Sequence, residues 1–413
     1  MNEQAARARS LNQYLDPYPY FGRLREAGRA VPIRTAFAGE GWLVTRHEDA
    51  QALAGDPRLS VDIHHAGPEL RRRCDAFKFR FVDSLPETML VMDPPQHTRL
   101  RRLVAAEFTP RRVASLGPYT QSAVLELTEA LLLDGPVDLV SALAEPLPTK
   151  VICRLLGLED EDAAIMQPLV ASLTLLPVDD AVSAEVEDAR GALWEYLSHM
   201  VERKRRQPDD GLLSALITAH DEDEKLSHTE LVSMAGLLLA GGVETTTQVI
   251  GSGLLLLLRH RDQLARLVEE PELVRTAVDE VLRFESPITL GLIRYAVEDI
   301  TLGNVTIPRG ELVFVGVASA NHDPQRFPDP TCVDVGRQDN PHMTFGRGPH
   351  YCLGASLARL ELETVFGTLI EKYPTMELAC RPEDVPWRPN VLRGPQELPV
   401  RLAPDSAPAD RDS

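Results

Sequence analysis

The sequence contains few cysteines, and their arrangement argues against a disulfide-stabilised or zinc-binding unit. The 413 residues include five cysteines, which are Cys74, Cys153, Cys332, Cys352 and Cys380. The number is odd, and the spacing matches neither a disulfide framework nor a zinc site. Such cysteine usage suits a reducing compartment, so we expect a cytoplasmic protein.

The chain also lacks an excess of basic residues. It has 43 Lys and Arg against 62 Asp and Glu, a formal net charge of −19, which argues against nucleic acid as a partner. The first ten residues have no apolar core, so they resemble neither a signal peptide nor a membrane anchor. The hydrophobic content of 44% is typical of a soluble globular protein.

One apolar stretch, from Leu231 to Leu258, is long enough to cross a bilayer and carries a single charged residue, Glu244. Its middle is polar, however, with the sequence Glu244-Thr-Thr-Thr-Gln248. Placing a carboxylate and four polar side chains in lipid is costly. We therefore favour a long central helix whose polar group faces a cavity, with a membrane span as the alternative.

Hydrophobic periodicity predicts a mainly α-helical protein with minor β-sheets. The capping-box sequence Ser227-His-Thr-Glu230 marks the start of the long apolar helix. We expect helices over Val113 to Leu133, Ser183 to Arg206, His228 to Arg259, Pro271 to Phe284 and Ala355 to Lys372.

Strand-like segments are short. Arg29 to Thr35 and Gly41 to Thr45 are expected to pair, and Ile300 to Ile307 and Leu312 to Val317 are expected to form a hairpin around Pro308-Arg-Gly310. The irregular, proline-rich residues 323–341 follow. No internal repeat or linker divides the sequence, so we expect one domain over residues 1–403 and a disordered tail over 404–413.

One cysteine lies in a glycine-rich loop, Phe345-Gly-Arg-Gly-Pro-His350-Tyr-Cys352-Leu-Gly354, directly before a predicted helix. Glycines allow positive φ angles and the close approach of a flat ligand. A thiolate before a helix N-terminus is stabilised by the helix dipole and by free N–H groups. A cysteine so placed can be the axial ligand of a haem iron. The alternative is a buried structural cysteine in a Gly-rich turn.

The spacing F-G-x-G-x-H-x-C-x-G resembles the haem-binding loop of the cytochrome P450 family at every fixed position. The resemblance extends from about Asp16 to Leu402. It implies a single triangular domain with haem b between two long helices, and Cys352 as the iron ligand. It also implies further haem contacts from Phe345, Gly346, His350 and Gly354.

A second motif begins at Met92-Asp-Pro-Pro-Gln-His97, ahead of another predicted helix. His97 and Arg101 are four residues apart and share a helix face, where a carboxylate would gain two charge-assisted hydrogen bonds. The resemblance implies that both residues, with Arg294 and His350, hold the haem propionates. Taken singly, each is more simply explained as surface charge.

The sequence Gly241-Gly242-Val243-Glu244-Thr245 lies midway along the long apolar helix, where each glycine costs roughly 1 kcal/mol. Two small residues permit close approach of a flat ligand and a local bulge. The motif resembles the family's G-G-x-[D/E]-T sequence over the distal haem face, which implies proton delivery by Thr245 and Glu244. A simple helix kink is the alternative.

Glu280-Val-Leu-Arg283 places an acid and a base on one helix face. Alone it would be a surface pair, but the resemblance implies a buried structural pair behind the haem. The family completes this pair with an arginine in a D-P-x-R-F-type stretch, whereas Asp329-Pro-Thr-Cys332-Val333 has a cysteine there. We therefore expect an under-satisfied pair, unless Arg337 substitutes.

The resemblance implies a haem-thiolate monooxygenase that inserts one oxygen atom from O2 into a bulky, mainly apolar small molecule. By position in the family, the residues that line the substrate pocket are small and apolar, which suits a bulky substrate, and we expect tailoring of a polyketide- or peptide-like secondary metabolite. The pocket residues implied are Leu237, Ala240, Gly241, Leu290, Gly291 and Leu292. The basic segment Arg71 to Arg80 is either an attraction for an acidic group on the substrate or a carrier protein, or solvated loop.

The resemblance further implies a monomer that receives electrons from NAD(P)H through a ferredoxin reductase and an acidic ferredoxin. Its docking patch is expected at a cluster of arginines, although a solvated helix face explains these equally well. They are Arg99, Arg101, Arg102, Arg111, Arg112 and Arg347. Two other functions are weighed against this one: a catalytically silent partner that activates another biosynthetic enzyme, and a haem sensor or carrier.

Overall fold

A computed structural model describes residues 16–35, 39–77, 88–131, 135–173, 180–221, 226–388 and 391–402. The predicted tail over 404–413 lies outside these ranges, as do residues 78–80 of the basic segment. The predictions of a disordered tail and of a role for the whole basic segment therefore remain predictions.

Short helices and strands alternate in the first part of the described chain. The elements are α1 (Tyr18–Ala27), β1 (Ala30–Thr35), β2 (Gly39–Val44), α2 (His47–Leu53), β3 (Leu59–Ser60), α3 (Pro68–Phe77), α4 (Gln96–Ala105), α5 (Pro110–Ser115) and α6 (Gly117–Glu129).

Longer helices dominate the middle of the chain. They follow strand β4 (Val137–Asp138) and a π-helical turn at Val140–Ala144. The helices are α7 (Pro146–Leu156), α8 (Asp160–Leu173), α9 (Asp180–Arg206), α10 (Leu212–Asp221), α11 (His228–Arg259), α12 (Arg261–Glu269) and α13 (Val274–Phe284).

The last part combines the remaining strands with one long helix. Its elements are β5 (Leu292–Ala296), β6 (Ile300–Leu302), β7 (Val305–Ile307), β8 (Leu312–Val315), α14 (Val317–Asn321), α15 (Ala355–Lys372), β9 (Glu377–Leu378) and β10 (Pro399–Arg401). The fold is mainly α-helical with small sheets, as predicted.

The two longest apolar helices match the prediction to the residue, since α11 covers His228–Arg259 and α15 covers Ala355–Lys372. The capping box before α11 is also confirmed. The predicted helix from Val113 to Leu133 is instead divided at Leu116 into α5 and α6. Pro118 explains the break, because it lacks an N–H group and its ring clashes with the preceding turn.

The main sheet has the strand order β1-β2-β8-β5-β3. Strands β1 and β2 pair antiparallel, as predicted, with Ala30 opposite Val44. The predicted hairpin around Pro308 is wrong. Strand β6 pairs with β7 across a tighter turn that contains Gly303, whose φ is 64°. Strand β8 has four consecutive buried residues, which suits its central place between β2 and β5.

Helix α11 is buried along most of its length and crosses α15 at very close range. A Cβ atom on Gly253 would lie 2.7 Å from Phe366 of α15 and 2.7 Å from Val281 of α13, so glycine permits this crossing. In the part of the chain that the structure describes, no helix is long and apolar enough to cross a membrane. This finding covers Leu231–Leu258, for which the membrane span was the alternative.

Candidate active site

The cysteine loop takes its shape from two glycines in left-handed conformations. Gly346 and Gly348 have φ angles of 69° and 75°. A Cβ atom on Gly348 would lie 2.6 Å from the Cα of Gly55, so this glycine also lets the loop pack against the end of α2. The Cys352 N–H donates to the Phe345 carbonyl at 2.8 Å, which closes the loop just before α15.

The electrostatics of Cys352 differ from the prediction that the helix terminus alone stabilises a thiolate. Burial raises the pKa of the Cys352 thiol, and the Gly354 N–H group and the charges of Arg101 and Arg359 offset this only in part. The prediction was incomplete because it left out the desolvation cost. A thiol of this kind loses its proton on binding a metal ion, whose charge exceeds that of the local dipoles.

Two histidines predicted to hold a carboxylate meet beside the loop. The ring centroids of His97, on α4, and His350 are 4.2 Å apart. His97 is 2% exposed. Among the described residues, neither ring nitrogen of His97 nor the Nε2 atom of His350 has a hydrogen-bond partner. Buried polar atoms without partners are rare, so these atoms are suited to bind a polar ligand.

Two arginines complete this basic cluster. Arg101 donates to the Tyr351 carbonyl at 2.7 Å, and Arg294, on β5, donates to the Ile293 carbonyl at 2.8 Å. Burial lowers the pKa of Arg294 to about 10. Burial, followed by the charges of Arg294 and His97, lowers the pKa of His350 to about 3.

The cluster therefore fits an anionic ligand. Burial and then the charge of Arg101 disfavour protonation of His97, and burial and then the charges of Arg294 and His97 disfavour protonation of His350. A pair of carboxylates would offset the cost of protonating the two histidines and would accept hydrogen bonds from their ring nitrogens. The propionates of a haem provide such carboxylates, and a nearby cysteine provides the soft ligand that haem iron accepts. The residues present thus fit the cofactor that the resemblance implies.

The two glycines of α11 have different roles. A Cβ atom on Gly241 would meet nothing within 4 Å, whereas one on Gly242 would lie 3.1 Å from Ile152 of α7. Gly241 therefore borders open space, and Gly242 serves helix packing, not the approach of a ligand. The expected bulge is also wrong: α11 stays α-helical here, with the Thr245 hydroxyl donating to the Gly241 carbonyl at 2.7 Å.

The remaining distal residues differ in their burial. Glu244 is 2% exposed and lies inside the protein, directly before Thr245. Among the predicted pocket residues, Leu237 is 8% exposed and Ala240 only 1%, so the Ala240 side chain is enclosed by protein. Leu290 and Leu292 are half-buried.

The backbone conformation at position 291 requires glycine, independently of the pocket. Its φ is 140°, and a Cβ atom there would lie 2.3 Å from the Val315 carbonyl oxygen of β8. Any other residue would therefore be strained at this position, whatever the ligand.

The pair formed by Glu280 and Arg283 is fully buried, as predicted, but it is not under-satisfied. The two side chains form a bidentate ion pair with both hydrogen bonds at 2.8 Å. Arg337 donates to Glu280 at 3.1 Å, as does the amide of Asn340 at 3.2 Å. Arg337 is thus the third partner.

Cys332 takes part in this network only through its backbone. Its carbonyl accepts from Arg283 at 3.2 Å and from Arg337 at 3.4 Å, while its side chain is exposed. The network is therefore complete although position 332 holds a cysteine where the family pattern has an arginine. Arg337, five residues further along the chain, reaches Glu280 instead.

The D-P-x-R-F pattern itself occurs earlier, at Asp323-Pro-Gln-Arg326-Phe327, and was not among the predicted features. Arg326 pairs with Asp339, and Phe327 is fully buried beside the guanidinium of Arg283, 5.4 Å from its ring centroid. The sequence pattern of this stretch could have indicated the buried core around Arg283. It could not have identified Arg337 as the third partner of the pair.

The arginines near the loop are not equally available to a partner. Arg99 pairs with Glu230, and Arg112 pairs with Glu107 at 2.8 Å and donates to the Asp210 carbonyl at 2.9 Å. Arg102, Arg111 and Arg347 are exposed.

Comparison with known proteins places the chain among haem enzymes. The family model Cytochrome P450 matches residues 159–397. The chain is 42% identical over 400 residues to the Vitamin D(3) 25-hydroxylase of Pseudonocardia autotrophica, and the match covers 95% of each protein. It is 41% identical over 390 residues to Cytochrome P450 monooxygenase PikC of Streptomyces venezuelae, which covers 94% of this chain and 91% of PikC.

A solved structure has the same fold. The structure of the tirandamycin C-bound P450 monooxygenase TamI superposes with a TM-score of 0.87 at 41% sequence identity, covering 95% of this chain and 98% of TamI. At this level of identity and coverage, the likeness extends over the loop, the basic cluster and α11.

Replacement of Arg337 tests the buried network. Arg337→Met should lower the free energy of unfolding by about 2 kcal/mol, because a charged acceptor loses a hydrogen bond in a buried site. Arg326→Met is the matched control. Its partner Asp339 is 78% exposed, so the loss should stay within about 1 kcal/mol. Denaturant unfolding of both variants would decide, and equal losses would contradict the role given to Arg337.

Proposed function

Because this chain belongs to the cytochrome P450 family and is a monooxygenase, we propose that the sulfur of Cys352 would ligate its haem iron. The observation that carries the proposal is the convergence of a glycine-shaped cysteine loop with buried histidine nitrogens that have no partner among the described residues. His97, Arg101, Arg294 and His350 would hold the two propionates. Phe345, Gly346 and Gly354 would contact the ring system.

The haem, when bound, would supply the binding and stepwise reduction of dioxygen, with electrons that arrive singly. Cys352 would supply a thiolate that donates electron density to the iron. On the other side, Thr245 would assist proton delivery. Its hydroxyl proton is directed to the Gly241 carbonyl, so the lone pairs of Oγ1 are left to accept a hydrogen bond from a proton donor.

Glu244 would be the next group in this proton path. It is a buried carboxylate directly before Thr245 in the sequence, and a carboxylate can exchange protons with a hydroxyl directly or through a water. Leu237, Leu290 and Leu292 would exclude water and contact the apolar substrate, and Gly241 would leave room for it.

The substrate that we propose is a bulky, mainly apolar small molecule, hydroxylated or epoxidised in the tailoring of a polyketide- or peptide-like secondary metabolite. The names of the relatives refer to vitamin D(3) and tirandamycin C, which supports a substrate of this general kind. We also propose that a carrier protein presents the substrate and is attracted by the basic segment that begins at Arg71. The structure describes only part of this segment.

Two other functions fit less well. A catalytically silent partner would not require a cysteine at position 352, and a haem sensor or carrier would not require Glu244 and Thr245 on the distal side. We further propose a cytoplasmic monomer with one domain over residues 1–403, haem b as the cofactor, and NAD(P)H as the electron source through a ferredoxin reductase and an acidic ferredoxin.

Exchange of single cysteines tests the ligand. Cys352→Ser should abolish the thiolate-type Soret band of the reduced carbon-monoxide complex, because serine does not provide a soft sulfur ligand. Cys332→Ser should leave the band unchanged, since only the Cys332 backbone joins the buried network. Retention of the thiolate-type band in Cys352→Ser would exclude the ligand that we propose.

Exchange of Thr245 tests proton delivery. Thr245→Ala should retain haem and substrate binding but divert electrons into hydrogen peroxide, so that less product forms per NAD(P)H consumed. Thr245→Ser retains the hydroxyl and should restore most of the coupling. If the alanine variant stays fully coupled, another group or water carries the proton.

Charge reversal tests electron supply. We propose that an acidic ferredoxin docks around Arg102 and Arg347, which are exposed beside the cysteine loop. Arg112 was also predicted to belong to the docking patch, but its pairing with Glu107 makes it a weaker probe. Arg102→Glu with Arg347→Glu should slow the first reduction at least several-fold and flatten its salt dependence, because fewer opposed charges remain to be screened.

The matched control for this double variant reverses two exposed arginines of other elements, Arg309 and Arg381. It carries the same change in net charge. Stopped-flow reduction at two ionic strengths should separate the pairs, and an equal slowing in both would place the docking site elsewhere.

A further inference from the structure

Two neighbouring carboxylates on α13 face different parts of the structure. Glu280 faces the irregular segment and its arginines, whereas Asp279 faces α15 and the residues before the cysteine loop. The Oδ1 atom of Asp279 accepts from the Nε atom of Arg359 at 2.9 Å, and the Nε2 atom of His342 lies 3.4 Å from the same oxygen. The proposed function assigns no role to this second set.

Arg359 connects α15 to both ends of the cysteine loop. Its guanidinium carbon lies 4.6 Å from the ring centroid of Phe345, within the range of a cation–π interaction. Interaction with the side chain of Tyr351, directly before Cys352, also raises the pKa of Arg359. The Phe345 carbonyl accepts the Cys352 N–H, so Arg359, on the helix after the cysteine, contacts the residue that closes the loop before it.

The charge on Arg359 is partly shielded from solvent and balanced by one carboxylate. Its side chain is 31% exposed and that of Asp279 is 35% exposed. Burial lowers the pKa of His342, so this histidine is uncharged at neutral pH. It therefore does not contribute to the charge balance between Arg359 and Asp279. Burial would raise the pKa of Asp279, but the hydrogen bond from His342 and the charge of Arg359 outweigh it and lower that pKa.

We propose that Arg359 and Asp279 are positioning residues that set the reduction potential of the haem iron from the cysteine side. The proposal rests on Cys352 as the axial ligand. Reduction of ferric to ferrous haem by a one-electron donor adds a negative charge at the site. A fixed guanidinium beside the loop stabilises that added charge and raises the potential. Asp279 orients the guanidinium and cancels part of its charge.

The two residues therefore predict potential shifts of opposite sign. Arg359→Gln removes the cation and should shift the potential of the haem-loaded protein to more negative values. Arg359→Lys keeps the charge and should stay closer to the unmodified protein. Asp279→Asn keeps an oxygen that accepts from Arg359 but removes the opposing charge, so it should shift the potential to more positive values. Spectroelectrochemical titration measures all three.

A control variant is available on the same pair of helices. Arg275, near the start of α13, is 83% exposed and lies 3.5 Å from Glu363 of α15. Arg275→Gln breaks an ion pair between these helices without contacting the loop residues, so it should leave the potential unchanged. The reduced carbon-monoxide spectrum and the thermal unfolding midpoint of each variant report loss of the haem site or of the fold separately.

The outcomes separate this inference from the proposed function. If the unmodified protein lacks a thiolate-type spectrum, the proposed function fails and takes the inference with it. If that spectrum is present but Arg359→Gln leaves the potential unchanged, or shifts it no further than Arg359→Lys, the inference alone is wrong. Shifts of the same sign in Arg359→Gln and Asp279→Asn would indicate a loosened loop, not a charge effect, and would also overturn it. If Arg359→Gln does not retain haem, the sign of the Asp279→Asn shift decides.

Discussion

The joint burial of Glu280 and Arg283 is the constraint on which the region behind the cysteine loop depends. Both side chains are completely buried, so each of their polar atoms must find a partner within the protein. Arg283 therefore donates to the carbonyls of Asn321, Pro330 and Cys332. Glu280 accepts from the Asp334 N–H and from the side chains of Arg337 and Asn340. These contacts order an irregular segment that has little secondary structure of its own. The segment leads directly into the loop, so the position of Cys352 follows from an ion pair more than sixty residues earlier in the sequence.

The same helix also reaches the loop more directly. Asp279, next to Glu280, binds Arg359 of α15, and Arg359 lies over Phe345. Helix α13 thus fixes the chain before the cysteine through one carboxylate and the helix after it through the other. The basic cluster comes from two further elements, α4 with His97 and Arg101 and β5 with Arg294, and from His350 of the loop itself. Rigid support from several elements is what a metal ligand with one geometry requires.

The sequence predicted those features that depend on local pattern. Helices α11 and α15 agree to the residue because their apolar periodicity is long, and a capping box marks the start of α11. The motifs around Cys352 and Glu280 were recognisable by spacing. Features that depend on packing between distant segments were not predictable. The third partner Arg337 depends on how an irregular segment folds, and the role of Gly242 depends on Ile152 of another helix. The hairpin prediction failed because all residues of β8 are buried. This burial favours a central position between β2 and β5 over a hairpin with the preceding strand. The pKa of Cys352 depends on burial, which no motif reports.

We propose that the sulfur of Cys352 ligates the iron, in a loop positioned by the network around α13. X-ray absorption fine structure at the iron edge of the haem-loaded protein tests this ligand, because sulfur and nitrogen scatterers differ in distance and strength. The expected result for the unmodified protein is one sulfur in the first coordination shell, together with the porphyrin nitrogens. A shell made only of nitrogen and oxygen scatterers would contradict the proposed ligand.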